Sequence, residues 1–298
     1  TEHEIRLIAH DCEPVCIVAS PTWFDKLRGV DDFPGLFNGM NFLDVQSVHQ
    51  SDTIPTALPE EIAVLLYTSG TTGTPKGVML SNRSIMTNVA QVLSAADLIK
   101  EDDRLLAVLP LFHSFAQNTC IWSAVFLGLE VIVVPRIDRK AILEGLACQP
   151  TIMVGVPSLY GLLCLMKTAP IDSIRYFVSG GDALPTKIKM AFEILYQRKL
   201  CNGYGLTEAG PFVSVNLEDN RFADGSIGRP AAGLKARLVS EEGAVVERSK
   251  IGSLQIKGEN IMAGYYRSAD ATAMVLQDGW LDTGDLARFD STGRLNIV

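Results

Sequence analysis

Short apolar runs alternate with amphipathic stretches between Arg104 and Val178, and that alternation is the strongest limit on what the chain can fold into. Arg104-Leu-Leu-Ala-Val-Leu109, Glu130-Val-Ile-Val-Val134, Thr151 to Val156 and Arg175-Tyr-Phe-Val178 have the length and branched-residue content of buried strands. Pro110, Pro135 and Pro157 close three of them, because proline cannot donate the next ladder hydrogen bond. Helical patterns fall between, from Phe112 to Leu127, over residues 138 to 148, and through Leu159, Leu162 and Leu163. This order predicts an α/β chain with a mainly parallel sheet and crossover helices on its faces.

The flanking regions read differently. Residues 1 to 18 give an amphipathic helix (Ile5, Ile8, Ala9) feeding a strand, Val15-Cys-Ile-Val18. Residues 19 to 60 carry Pro21, Pro34, Pro55 and Pro59, so no long regular element is expected there. Ser81 suits the N-cap of a helix with Ile85, Met86, Val89, Val92, Leu93 and Ala96 on one face. Beyond about residue 218, glycines recur and short alternating runs (Lys235 to Val239, Ser253 to Lys257) replace helices.

Composition narrows the function classes. At 298 residues with 47% hydrophobic and 20% charged content, the chain can bury a globular core. A net charge of −8 and no dense Lys/Arg stripe argue against nucleic acid as a partner. The six cysteines (12, 16, 120, 148, 164 and 201) show no CxxC spacing, and no His/Cys partners complete a metal set around Cys12 and Cys16. Reduced thiols fit a cytoplasmic location. No run reaches the ~18 apolar residues of a membrane helix, which leaves only peripheral membrane association open. His3, His10 and His49 have no matched partners and read as ordinary histidines.

Chemistry enters at the end of another strand candidate, Ile62 to Tyr67. It runs into Thr68-Ser-Gly-Thr-Thr-Gly-Thr-Pro-Lys-Gly77, with three glycines, four threonines and one lysine. Such a loop can aim backbone N–H groups and hydroxyls at one centre, which suits a polyphosphate, and Lys76 adds a point charge. It is not a Walker A loop: Pro75 precedes Lys76, and Gly77 stands where the Ser/Thr magnesium ligand would be.

The string resembles the phosphate-loop motif of the adenylate-forming superfamily, which includes acyl-CoA synthetases, luciferases and nonribosomal peptide adenylation domains. Four further matches follow in that family's order: Leu109-Pro-Leu-Phe-His-Ser-Phe115, Val178-Ser-Gly-Gly-Asp-Ala-Leu184, Gly203-Tyr-Gly-Leu-Thr-Glu208 and Gly279-Trp-Leu-Asp-Thr-Gly-Asp285. The resemblance covers nearly the whole chain. It implies an α/β portion over residues 1–218 and a small β-barrel portion over 219–298 of one large domain.

The resemblance also implies a chemistry: a carboxylate attacks the α-phosphorus of ATP, pyrophosphate leaves, and the acyl group passes to the thiol of CoA. Thr68, Ser69, Gly70, Thr71, Thr72, Gly73 and Lys76 would hold the β- and γ-phosphates. Thr207 would meet the α-phosphate, and Glu208 would ligate Mg2+, a hard cation that takes hard oxygens. Tyr204, between Gly203 and Gly205, would offer a flat face to adenine, with Gly181 and Asp182 opposite. Asp182-Ala183 stands where many members have a proline or small residue. Asp285 would accept from both ribose hydroxyls. His113 would line the junction of acyl carboxylate and pantetheine thiol, in a positioning or gating role.

Amino-acid adenylation domains hold the substrate ammonium with an aspartate in the segment matching Phe112–Phe115. Here that segment has no acid, which disfavours an α-amino acid, and the apolar stretches that follow suit a fatty acid of medium or long chain. Ala116 to Phe126, Val154-Gly-Val156 and Leu159 to Leu165 are apolar, as tunnel walls or as plain core helices. Phe-His-Ser-Phe and Asn260-Ile-Met-Ala-Gly-Tyr-Tyr266 also resemble acyl–acyl carrier protein synthetases, so a carrier-protein thiol is the alternative acceptor. A non-catalytic adenylate-binding module is the alternative of another class. The chain opens without Met and stops in a strand at Val298. The expectation is a fragment lacking the family's hinge Arg and its small domain, whose lysine assists adenylation, so that it binds nucleotide but adenylates poorly.

Overall fold

The computed structural model describes residues 2–14, 56–69, 75–95, 99–217 and 224–298. The expected strand at Val15–Val18, Cys16, His49, Ala96 and the loop residues Gly70, Thr71, Thr72 and Gly73 lie outside the described residues. The chain falls into two compact units: Thr1–Leu58 with Tyr67–Lys76, and Pro59–Leu66 with Gly77–Val298. In the first, α1 (Glu2–Cys12) is the expected helix. Asp11 Oδ2 accepts a 2.5 Å hydrogen bond from the Tyr67 phenol. Burial and this carboxylate push the phenol's pKa far up.

The strands form three sheets among the described residues. β1 (Ile62–Ser69) and β2 (Pro75–Ser81) lead into α2 (Asn82–Ser94). Ser81 is the N-cap, its Oγ accepting from the Ser84 N–H at 3.1 Å. On α2 the residues Ile85, Val89 and Val92 are buried as expected, whereas Met86 is exposed. β3 (Arg104–Ala107) follows, then α3 (Ser114–Ala116), a π-helical turn (Gln117–Trp122) and α4 (Ser123–Leu127). The rest of the α/β part runs β4 (Glu130–Val133), α5 (Arg139–Ala147), β5 (Ile152–Gly155), α6 (Pro157–Met166), β6 (Tyr176–Ser179), α7 (Thr186–Tyr196), β7 (Leu200–Gly205), β8 (Phe212–Val215) and β9 (Arg229–Pro230). Their order in the sheet is β4-β3-β5-β6-β7-β8-β9. The pairs from β4 to β7 are parallel and the last two are antiparallel.

Strand alternation builds two cores on this sheet. Leu106, Met153 and Phe177 face α5, α6 and α7 and pack with Ile142, Leu146, Leu159, Tyr160, Leu163 and Phe192. Leu105, Ala107, Ile152 and Val154 face the other way, toward Cys120, Ala124 and Phe115. Leu159 and Leu163 therefore sit on the side of the sheet away from Val154. The expectation that Leu159 to Leu165 wall a tunnel is corrected: they are core between helix and sheet, and Leu165 is exposed. A fully buried pair, Lys189 and Glu193 at 2.6 Å, ties α7 to β7, where the Leu200 N–H donates to Glu193 Oε1 at 3.1 Å.

The glycine-rich tail forms β10 (Lys235–Val239), β11 (Gly252–Lys257), β12 (Gly264–Tyr265), α8 (Ala269–Val275), β13 (Leu276–Gln277), β14 (Trp280–Phe289) and β15 (Leu295–Ile297). Five strands pair as β10-β11-β14-β13, with β15 on β14. β12 leaves them to pair antiparallel with β2, Gly264 opposite Met79. Among the described residues, no helix is long and apolar enough to cross a membrane.

Candidate active site

The site lies where β5, β6 and β7 end, the edge at which α/β sheets open a crevice. β7 carries Gly203, Tyr204 and Gly205 out of the core and into a short 3-10 turn, Thr207–Ala209. Glycine is needed at 205 because a Cβ there would collide with the carbonyl of Pro211. The reason is internal: β8 returns so closely that its backbone occupies that space. At 203 a Cβ would lie 3.3 Å from the Ser179 carbonyl oxygen. The fold already requires glycine at 205.

Four buried amides brace the turn after Glu208. Asn88 accepts from the Phe212 N–H (2.9 Å) and donates to the carbonyls of Phe212 (2.8 Å) and Ala209 (3.2 Å). Asn118 donates to Asn88 Oδ1 (2.8 Å) and to the Gly210 carbonyl (3.1 Å). Asn260 donates to the Ala209 carbonyl at 2.7 Å, and Gln91 donates to Asn260 Oδ1 and to the Ala232 carbonyl. Sequence reasoning missed all four. For Asn88, Gln91 and Asn118 the only visible signal was polarity on otherwise apolar helical stretches, and Asn260 lies in a turn.

Thr207 and Glu208 stand on this braced turn. Thr207 Oγ1 shares a 2.9 Å hydrogen bond with Ser114 Oγ, which joins the Gly-Tyr-Gly-Leu-Thr-Glu segment to the Phe-His-Ser-Phe segment. Glu208 Oε1 accepts from the Tyr265 phenol at 2.9 Å, and its carbonyl accepts from the Met262 N–H at 2.9 Å. Burial and the Glu208 charge push the Tyr265 phenol's pKa up. Tyr204 donates to Asp285 Oδ2 at 2.5 Å, and burial and that carboxylate raise its pKa. Tyr204, Thr207, Glu208 and Asp285 are thus brought together through hydrogen-bonded partners.

Gly181 is left-handed at φ +78° and lines the same crevice, while Asp182 turns back on itself, Oδ1 accepting from the Ala183 N–H at 2.7 Å. His113 is exposed at the crevice rim. Thr68 and Ser69 are the last two residues of β1, and Lys76 is the second of β2. Among the described residues no cluster of three or more His, Cys, Asp or Glu could hold a metal.

From this rim a cavity of about 170 Å3 runs under the sheet on the α3–α4 side. His113, Ser114 and Thr207 mark its polar end; Phe115, Val154, Val178, Leu105, Ile152 and Ile99 give apolar walls. Of the expected tunnel walls, Val154 and part of the Ala116–Phe126 segment contribute, the latter through Asn118 and Thr119.

The family described as AMP-binding enzyme matches residues 1–266. The chain is 38% identical over 282 residues to a long-chain-fatty-acid–CoA ligase of Bacillus subtilis, covering 92% of this chain and 49% of that protein. It is 34% identical over 259 residues to a feruloyl-CoA synthase of an Amycolatopsis species, covering 83% of this chain and 52% of that protein. The chain spans about half the length of these curated relatives. Among solved structures, ATP-bound MatB from Rhodopseudomonas palustris superposes with a TM-score of 0.88 at 28% identity, over 100% of this chain and 61% of that one.

Proposed function

The chain belongs to the AMP-binding enzyme family, and from that premise we propose that it binds the nucleotide and acyl group in a fatty acid–CoA ligase. A carboxylate oxygen attacks the α-phosphorus of ATP, forming the acyl–phosphate bond and expelling pyrophosphate. The CoA thiol then attacks the acyl carbon, and AMP leaves as the thioester forms. Residues 1–218 and 219–298 are read as two portions of one domain, and a cytoplasmic location is part of the same reading.

One observation carries the acyl half: the apolar cavity opens at Thr207 and His113, with Tyr204 and Gly203 on the same rim. A fatty acid placed there keeps its carboxylate among polar groups while each buried methylene contributes about 0.8 kcal/mol. In the nucleotide half, the ring of Tyr204 is assigned to adenine against Gly181 and Asp182, and Asp285 to the ribose hydroxyls. Thr207, its hydroxyl fixed by Ser114, is assigned to the α-phosphate. By family resemblance Thr68, Ser69, Gly70, Thr71, Thr72, Gly73 and Lys76 take the β- and γ-phosphates. His113 shapes the rim where thiol and acyl carbon meet.

The residues present fit Mg2+, which is usually held by one or two carboxylates plus substrate phosphates rather than by an all-protein cage. Glu208 would supply one hard carboxylate, whose Oε1 accepts from the Tyr265 phenol. The ion would neutralise phosphate charge as pyrophosphate departs.

The reading is tested on the product of the intact gene, with ATP, Mg2+ and decanoate, by mass spectrometry. Decanoyl adenylate should form, and added CoA should convert it to decanoyl-CoA. Cleavage of ATP without any acyl adenylate would overturn the proposal.

A further inference from the structure

The strand register turns the cavity into a ruler. Its rim lies at Gly180, which continues β6 and donates its N–H to the Gly155 carbonyl at 3.0 Å. Its far end lies at Ile152 and Leu105, neighbours across the β3–β5 ladder, with Ile152 opposite Tyr176 on β6. From Tyr176 to Gly180 is four strand steps of about 3.3 Å, so the cavity is about 13 Å long.

At the far end Leu105 is 2% exposed and Ile152 is 4% exposed, so among the described residues these two side chains form a buried wall. Val92 from α2, 7% exposed, and Ile99 ahead of β3 complete that end. An extended alkyl chain advances about 1.25 Å per carbon, the projection of a ~1.5 Å carbon–carbon bond along its zigzag. About ten carbons fit between rim and floor. Val154, Val178 and Phe115 are apolar walls of this cavity, and Asn118, Thr119 and Ser214 are the polar residues that share its lining.

We propose that the acyl substrate is a medium-chain fatty acid of about ten carbons, with Leu105, Ile152 and Ile99 as the floor that sets its length. The inference rests on the reading of this cavity as the acyl site. A longer tail cannot be folded back, because the interior is close-packed, and lengthening beyond the floor requires core side chains to move.

The test is calorimetric titration of this chain with 5′-O-(N-acylsulfamoyl)adenosines carrying tails of four to sixteen carbons, and with the tail-less sulfamate. Affinity should rise by up to about fourfold per methylene until about ten carbons, then level or fall. A rise that continues to sixteen carbons overturns the length assignment while leaving the acyl-site reading intact. Binding that ignores the tail overturns the acyl-site reading and the inference with it. No binding of the tail-less sulfamate overturns the nucleotide reading.

Two variants then locate the floor. Ile99→Phe should move the break to tails at least two carbons shorter, and Ile152→Ala to longer ones. Each variant's affinity for the tail-less sulfamate, expected within about twofold of the parent, reports that the nucleotide end is intact. A break that stays put in both variants, with that affinity preserved, overturns the floor.

Discussion

The phenol of Tyr204 donates a 2.5 Å hydrogen bond to Asp285 Oδ2, so the residue assigned to adenine orients the residue assigned to ribose. The two come from β7 of the parallel sheet and β14 of the glycine-rich tail. One Asp285 oxygen is held by protein before any nucleotide arrives. Such preorganisation cuts the ordering cost of binding.

Two substitutions separate stacking from orientation. Tyr204→Ala removes the aromatic face and should weaken AMP binding about 5- to 100-fold, as expected for a base-stacking contact of ~1–3 kcal/mol. Tyr204→Phe keeps the face and frees Asp285, and should cost no more than about fivefold. Asp285→Ala removes a charged acceptor and should cost about 10- to 100-fold. Equal losses for Tyr204→Phe and Tyr204→Ala, read by calorimetry, would remove stacking from the account.

Asn88 carries the heaviest structural duty near the site. Its side chain satisfies the Phe212 N–H and the Ala209 and Phe212 carbonyls, and accepts from Asn118. Asn88→Ala strands these buried groups, each costing about 1–3 kcal/mol if left unpaired. Allowing for relaxation, denaturant unfolding should show a loss of about 2–4 kcal/mol. Adenylate-mimic affinity should fall as well, because the Thr207–Glu208 turn hangs on the same carbonyls. Stability lost with affinity unchanged would mean that Asn118, Asn260 and the Met262 N–H hold the turn without Asn88.

Alkaline pH should destabilise the fold through its phenols. Tyr160 is fully buried, which pushes its pKa well above the usual value, and it donates to the Val178 carbonyl at 2.8 Å. Burial also raises Tyr204, Tyr265 and Tyr196. A pKa raised in the folded state means that folding favours the protonated phenol. That stability is complete below about pH 10, where unfolded tyrosine titrates, and is lost as pH rises above it. Denaturant midpoints should therefore fall above about pH 10. Tyrosinate absorbance should appear in step with unfolding for these groups, rather than before it.

The parallel sheet was legible because strand and helix periods differ and prolines close the strands; β3, β4, β5 and β6 all lie where the apolar runs place them. The site's linear motifs were legible through their resemblance to the adenylate-forming superfamily, because each is one contiguous string. Which face of the sheet an apolar residue joins was not. Leu159 and Val154 read alike in sequence, yet α6 crosses to the face opposite α3 and α4, and only Val154 reaches the cavity. The amide brace escaped notice because its partners are remote: Asn88 meets Phe212 across 124 positions and Gln91 meets Asn260 across 169. Periodicity records which face of an element is apolar, and it records nothing of long-range hydrogen-bond partners. Ile99 and Val92 were missed as cavity walls for the same reason, since only the folded sheet brings β3, α2 and β5 around one space.

Tyr265 gives the sharpest test of the metal assignment. It sits on β12, 8% exposed, and its phenol donates to Glu208 Oε1 at 2.9 Å. The same segment holds the Glu208 carbonyl through the Met262 N–H, and its Asn260 holds Ala209. Glu208 is therefore held at both backbone and side chain. Tyr265→Phe keeps the ring packed and removes only the hydroxyl. The freed carboxylate gains rotamers that must be frozen again when a cation binds, a cost of about 0.5–1.5 kcal/mol. Calorimetric binding of ATP should then need about 2- to 10-fold more Mg2+ for half-saturation. Binding of an acyl-sulfamoyladenosine without metal should not change, because that ligand lacks the β- and γ-phosphates. A uniform loss with both ligands would make Tyr265 a packing residue only, and an unchanged Mg2+ requirement would move the metal away from Glu208.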